Sequence, residues 1–410
     1  MRTRLRRRLF EHLVFNLALV LGLAQVLVWH WGSGVVAGRR DFGLAVGLAL
    51  CVLLAAFNAT TAPLLRRARR RPNWIGRVAR IYLEICIATL LLGLAVAAAW
   101  VAFLPTWGLA WLAGADSETV FEVFRAVGSV WIGGWALLIL WGFSGGQAQV
   151  DCSRVRVEIP GLHPGLDGLR LVQISDLHIG NSLEAARLER MVARTNALDP
   201  DVIVVTGDIF DFDPSHIDEG AQRLAALRAR LGVYAVLGNH DAYTGAEKVA
   251  SALSRLAPNI VLLRDQVARL PLEQPLYLAG VEDPGRHWSD RDLRVKGLEA
   301  VAAVRLDDGP TLLLVHRPEA FPQAARLGFP LVLAGHTHGG QLALPTPGGR
   351  YNLARVATRF TRGLYRIDGS TLYVNRGLGV GGPVLRINCP REIATIELAA
   401  PGEQGERGRW

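Results

Sequence analysis

Four apolar stretches, at about 10–31, 42–65, 81–104 and 123–143, constrain this chain more than anything else in it. Each is close to the ~20 residues an α-helix needs to cross a hydrocarbon core. Four buried helices of a soluble domain are the alternative. The length of the stretches, the short polar loops between them and their nearly uncharged interiors favour four spans. A cleaved signal peptide is the alternative for the first stretch, because the chain starts on a basic segment. That stretch is too long for one, however, and no small-residue cleavage site closes it.

Arginine placement orients the spans. Five arginines precede residue 10, two follow the first span, seven lie between 66 and 80, and none lies between 105 and 119. The N-terminus and second loop are therefore expected on the cytoplasmic side. With an even number of spans, the C-terminal domain is cytoplasmic as well, in a multi-pass protein of the inner (cytoplasmic) membrane. One miscounted span would reverse that side. Residues 1–150 hold 15 Lys+Arg and 6 Asp+Glu, a net of +9. The whole chain holds 45 and 36, so 30 and 30 remain for residues 151–410, a net of zero. The basic character belongs to membrane topology and lipid contact, and gives no electrostatic case for nucleic acid. Membrane lipids are the expected partners, and the oligomeric state stays open.

The rest of the chain repeats one design, an apolar strand with a polar residue at its C-terminal end. Residues 169–174 run into Ser175-Asp176-Leu177-His178. Residues 202–206 run into Gly207-Asp208, and 232–237 into Gly238-Asn239-His240-Asp241. Residues 311–315 run into His316, and 331–334 into Gly335-His336-Thr337-His338. Open α/β sheets bind ligands beyond the carboxyl ends of their strands. Taken singly, each piece has an ordinary explanation: Gly-Asp is often a turn, and Asn-His-Asp a solvated loop. Five in order, holding five of the chain's ten histidines, do not. Carboxylate with imidazole and no thiolate suits divalent Mn, Fe or Zn. Two such ions about 3.5–4 Å apart would clamp an in-line displacement at phosphorus.

The ordered set Asp-x-His, Gly-Asp, Gly-Asn-His-Asp, His and Gly-His-x-His resembles the calcineurin-like metallophosphoesterases, over roughly residues 155–398. The stretches Tyr373-Val-Asn-Arg-Gly-Leu-Gly and Arg386-Ile-Asn-Cys-Pro-Arg-Glu-Ile look like a bacterial subgroup that is membrane-associated or exported. The resemblance implies a four-layer α/β/β/α sandwich holding two divalent ions, with Mn the leading candidate. It implies Asp176, His178 and His338 on the first ion, Asn239, His316 and His336 on the second, and Asp208 between them. His240 would face the scissile phosphate, with Asp241 placed to orient it and Asp211 in an outer position.

The expected organisation is an α/β chain: a transmembrane region over 1–143, a linker over 144–154, the phosphoesterase domain over 155–400 and a polar tail over 401–410. Helices are expected over 182–198, 218–230 and 246–256, the first capped by Ser182. A hairpin is expected around Asp368-Gly369. The cysteines indicate neither a disulfide framework nor a zinc–cysteine site.

The expected function is a membrane-anchored phosphoesterase acting on a phosphodiester or pyrophosphate. Anchoring points to a lipid-linked substrate. The sharpest form, taken from the superfamily's known activities, is UDP-2,3-diacylglucosamine hydrolysis. Phe210, Phe212, Trp288 and Phe360 are the candidates to line an acyl groove. One alternative is an extracytoplasmic phosphodiesterase of envelope polymers or phospholipids. Another is a non-catalytic membrane scaffold with a structural metal site.

Overall fold

The computed structural model describes residues 18–33, 44–69, 74–180, 183–283, 285, 295–304, 308–346, 349 and 351–401, without side chains for 62–77. The chain divides into two compact units, Met1–Phe143 and Ser144–Trp410.

The first unit is helical: α1 (Ala18–Ser33), α2 (Leu44–Arg69), α3 (Trp74–Leu112) and α4 (Ser117–Phe143). Among the described residues, two apolar segments are long enough to cross a membrane, Val78–Leu112 and Ser117–Ala148. Only 22% and 11% of their most apolar windows are buried. A soluble core helix would bury that surface. Here Val101, Leu109 and Val130 point outward, each at least 70% exposed. The apolar helices Ala18–Ser33 and Ala45–Thr61 are shorter. Residues 10–17 of the first expected span lie outside the described residues.

The third helix overruns its expected end, passing Pro105 to reach Leu112. Pro105 has no N–H to give the Val101 carbonyl. The helix continues past it, and Thr106 Oγ1 donates to the Ala102 carbonyl at 2.9 Å in the same turn. Helices meet where side chains are small: a Cβ on Gly93 would overlap Ala24. Inside the bundle, Asn58 donates to Gln25 Oε1 at 3.0 Å and accepts from Tyr82 at 2.8 Å, tying α1, α2 and α3 together. Such bonds are favoured where no water competes.

The second unit opens on a short helix, α5 (Gly145–Ala148), and a strand, β1 (Val150–Glu158). Most of the expected linker is therefore structured, because β1 pairs along its whole length with the last strand. The remaining strands are β2 (Arg170–Ile174), β3 (Val202–Thr206), β4 (Val233–Val236), β5 (Ile260–Leu262), β6 (Gln266–Arg269), β7 (Tyr277–Gly280), β8 (Thr311–Leu314), β9 (Leu331–Ala334), β10 (Gly363–Ile367), β11 (Ser370–Val374) and β12 (Arg391–Ala399). The larger helices are α6 (Ala185–Asn196), α7 (Ile217–Leu224), α8 (Asn239–Thr244), α9 (Ala246–Leu256), α10 (Lys296–Ala303) and α11 (Phe321–Arg326).

Two six-stranded mixed sheets form, in the orders β1-β12-β2-β3-β4-β5 and β10-β11-β9-β8-β7-β6. The central strands are apolar at nearly every position because both faces are covered. In β3, Val202 and Val204 enter the core between the sheets, while Ile203 and Val205 enter the core under α6, α7 and α9. In β9, Leu331 and Leu333 face the other sheet, and Val332 and Ala334 face the layer of α10 and α11. The result is the expected helix–sheet–sheet–helix sandwich.

Two helices differ from expectation in extent. Ser182 lies outside the described residues, and α6 starts at Ala185 without a side-chain cap. The helix expected to reach 230 stops at Leu224. After it, Leu227 joins the helix-covered core and Leu231 the inter-sheet core, so the chain must turn between layers rather than stay in one. The expected hairpin forms as β10–β11, with Asp368 and Gly369 at φ 46° and 83°. Those are the signs a two-residue primed turn requires.

Candidate metal centre

Three of the strands that carry site residues, β2, β3 and β9, end in left-handed turns that re-aim the side chains. Asp176, His178, Asp208, His336 and His338 all have positive φ, between 46° and 73°. Non-glycine residues in that region cost roughly 1–2 kcal/mol each, and such strain clusters at functional sites. The turns pack so tightly that a Cβ on Gly238 would collide with the Asp208 carboxylate, and one on Gly335 with Ser175 and Asp176.

The structure brings six of the seven expected ligands into overlapping groups. Asp176, His178 and His338 form one, and Asp208, His316 and His336 another. A third, His178, Asp208 and His240, joins them. The Asp208 carboxylate lies between the two sides, its Oδ2 3.6 Å from His178 Nε2 and 3.1 Å from His316 Nε2. His178 and His338 face each other through Nε2 at 3.2 Å. His336 Nδ1 is 3.2 Å from His316 Nε2. His316 Nδ1 donates to the Thr206 carbonyl at 2.8 Å, which leaves Nε2 as its ligand atom. Asn239 follows β4 closely. It is buried, and its Oδ1 has no hydrogen-bond partner. An orphaned buried carbonyl beside an all-N,O donor set fits divalent ions.

The charges reinforce that fit. Burial would raise the Asp208 carboxyl, but His316, His240 and His178 hold it well below the carboxylate range. Burial would lower His316, yet Asp208 pushes it up to about 10. Burial, chiefly, drives His338 well below its ordinary value, and burial raises Asp176. Protons on this cluster therefore compete directly with a cation.

His240 stands at the edge of the cluster, its side chain 17% exposed. Its Nδ1 meets Asp211 Oδ1 at 2.5 Å, leaving Nε2 as the outward nitrogen. Burial opposes its protonation, but Asp208 and Asp211 outweigh burial and raise it. The carboxylate on the His240 ring is thus Asp211, not Asp241 as the resemblance implied. Asp241 accepts from the backbone N–H groups of Ile209, Phe210 and Gly238 at 2.9–3.1 Å, tying the turn after β3 to the turn after β4. Asp241 lies within α8, whose first turn points it back at those amides rather than at the His240 ring.

Other residues frame the site with little sequence signal. Arg317, next to His316, forms a buried pair with Asp283, at 2.5 and 3.0 Å. Arg386 is wholly buried, and its Nη2 donates to the carbonyls of Arg376, Gly377 and Gly379, bracing the loop that packs on Asp176. Of the acyl-groove candidates, Phe210 and Phe360 are core residues, and Trp288 lies outside the described residues. Phe212 lies 4.7 Å from the His240 ring and stacks on Tyr243.

Sandwich, strand-end donors and the carboxylate between them define an α/β fold whose donor clusters fit divalent metal ions. The family model for calcineurin-like phosphoesterases matches residues 169–340. The chain is 34% identical over 278 residues to a "Transmembrane protein with metallophosphoesterase domain" of Danio rerio, covering 64% of this chain and 60% of that one. It is 31% identical to the uncharacterized metallophosphoesterase Cj0846 of Campylobacter jejuni, covering 60% and 63%. It is 30% identical to the uncharacterized metallophosphoesterase YkuE of Bacillus subtilis, covering 57% and 80%. The chain belongs to the calcineurin-like metallophosphoesterase family. It spans only about three fifths of the length of the first two relatives. Among solved structures, a dimetal phosphatase from Danio rerio aligns with TM-score 0.35 and 14% identity, over 57% of this chain and 93% of that one.

Proposed function

We propose that this chain is a membrane-anchored, metal-dependent phosphoesterase that hydrolyses a phosphodiester or pyrophosphate bond. The observation that carries the reading is the convergence of Asp176, His178, Asp208, His316, His336 and His338 around one shared carboxylate. Asp176, His178 and His338 would hold one ion, Asn239, His316 and His336 the other, and Asp208 both. When bound, two divalent ions neutralise the phosphoryl oxygens and acidify water toward a usable nucleophile near neutral pH. The chain's own residues do the rest. Asp211 fixes the His240 ring through Nδ1, so that Nε2 carries a proton toward the departing oxygen. Water loses a proton to solvent as it adds to phosphorus, the P–O bond to the leaving group breaks, and the departing oxygen takes the proton from Nε2, which solvent then restores. Asp241 holds the two turns that carry Asp208 and His240 in register.

The same reading takes the first unit as four spans, with the catalytic unit on the cytoplasmic side as the arginines require. A lipid-linked phosphoester is the substrate class, UDP-2,3-diacylglucosamine its sharpest form, and Mn²⁺ the first ion to test.

The test is hydrolysis of bis-p-nitrophenyl phosphate by the full chain in detergent, stripped of metal and reloaded with Mn²⁺. Activity that returns with metal and disappears in Asp208→Ala and His240→Ala supports the reading. A folded, metal-loaded protein inactive on this ester and on UDP-diacylglucosamine would point to the scaffold. Topology has a native handle, because Cys152 is exposed while the other three thiols are buried. A membrane-impermeant maleimide that labels Cys152 in intact cells would reverse the assigned side.

A further inference from the structure

We propose that the described residues of the loop after the His336–His338 turn, 342–346, 349 and 351–364, form a docking surface for an anionic lipid bilayer. Nine large apolar residues of the catalytic unit are exposed among those described. Five of them, Leu344, Tyr351, Leu353, Val356 and Leu364, fall in this one segment. Leu344, Tyr351 and Leu353 are 55–60% exposed and Val356 is 72% exposed. Apolar groups concentrated in this way mark an interaction surface.

The charge pattern identifies the occupant. Residues 320–367 contain no Asp or Glu, whereas 342–367 contain five arginines, at 350, 355, 359, 362 and 366. The catalytic unit as a whole is balanced, so this is a local excess. Arg355 and Arg359 are exposed within the patch. The Arg355 guanidinium lies 5.9 Å from the Tyr351 ring centre, and that of Arg359 lies 4.6 Å from Phe360. Apolar and aromatic side chains interleaved with arginine suit the boundary between headgroups and acyl chains. A bilayer is also the one partner that the apolar helices of the first unit already demand.

The patch is mechanically joined to the metal centre. Thr337, between the two ligand histidines, donates to the Thr361 carbonyl at 2.6 Å. Leu353 N–H donates to the Leu342 carbonyl at 3.1 Å, and a Cβ on Gly340 would press on Asn352 and Ala354. Seating the loop in a headgroup layer would therefore present the site to phosphoesters at that surface. This goes beyond the catalytic reading and does not need it.

Backbone amide exchange over 351–360, measured by mass spectrometry on the full chain, tests the proposal. The chain is compared in detergent, in phosphatidylcholine nanodiscs and in nanodiscs that also contain phosphatidylglycerol. Exchange is expected to slow in the anionic discs, with strand β9 unchanged. Arg355→Gln and Arg359→Gln should each cost about fivefold of that protection. Leu353→Ser with Val356→Ser should abolish it while leaving hydrolysis of a water-soluble ester intact. Equal exchange in all three environments overturns the proposal, as does equal protection in neutral and anionic discs. Protection already present in detergent that tracks protein concentration would overturn it in favour of a second copy on the patch. Exchange reports on the surface whether or not the site turns over substrate, so the two readings fail separately.

Discussion

The two units solve the burial problem in opposite directions. In the helical unit, leucine and valine point outward, and the described helices meet through small residues, an aromatic cluster of Trp31, Trp100, Phe103 and Phe124, and polar bonds that include Gln25–Asn58–Tyr82. In the catalytic unit, valine and leucine point inward from both faces of each sheet, and charged groups gather at the strand ends. A lipid surround for the helical unit, as proposed above, would explain the difference: lipid would give no hydrophobic reason for apolar side chains to hide, leaving packing and hydrogen bonds to hold the helices. Water drives the sandwich together strongly enough to offset the left-handed turns at the strand ends and a buried cluster of titratable groups.

The comparison breaks most visibly at Asp208, whose one carboxylate lies between both halves of the site. Asp208→Ala is expected to abolish turnover and lower metal content to about one ion per chain, read by elemental analysis. Retention of two ions would remove Asp208 from its bridging place. His240→Ala should keep both ions and lose about 10²–10⁴-fold in rate. The loss should be larger for an alkyl ester than for p-nitrophenyl esters, whose leaving group needs less protonation. Equal losses on both would deny His240 its role as proton donor.

Asp211 and Asp241 separate next. The Asp211 charge raises His240, so Asp211→Asn should move the alkaline limb of the pH–rate profile to lower pH. Asp241→Asn should leave that limb in place and destabilise the unit by about 1–3 kcal/mol, as buried amides lose a charged acceptor.

Metal removal should show its own pH signature. His316 is raised from 6.5 to about 10 in the metal-free cluster. Its contribution to stability is therefore complete below pH 6.5 and lost as pH climbs toward 10. The stripped protein should lose melting temperature across that window, while the loaded protein, whose His316 is already deprotonated, should stay flat. The smallest effect belongs to the helical unit. Asn58→Leu should cost about 0.6–2 kcal/mol in unfolding from detergent and leave hydrolysis of a soluble ester unchanged.

Much of this was legible beforehand. Strand β3 and Asp208, strand β9 and the two histidines, and the β10–β11 turn at Asp368-Gly369 are local patterns, because an apolar run and its turn chemistry are near neighbours in the chain. Asp211 was visible only as a spacing, and its contact with His240 depends on how two turns stack. The early stop of α7 was not legible, because nothing near Leu224 announces that Leu227 and Leu231 belong to different cores. Nor was the passage of α3 through Pro105, where the helix continues and Thr106 Oγ1 donates to the Ala102 carbonyl in the same turn.

By itself, then, the sequence determined the two kinds of polymer and the set of strand-end Asp, Asn and His residues, which follow from periodicity and side-chain chemistry, while the layer order came from the family resemblance. Tertiary structure decided which carboxylate meets the His240 ring, which glycines admit close approach, and that Leu344, Tyr351, Leu353 and Val356 stand exposed on the segment that follows the His336–His338 turn. Those are relations between residues far apart in the chain, and only packing brings such residues within a few ångströms.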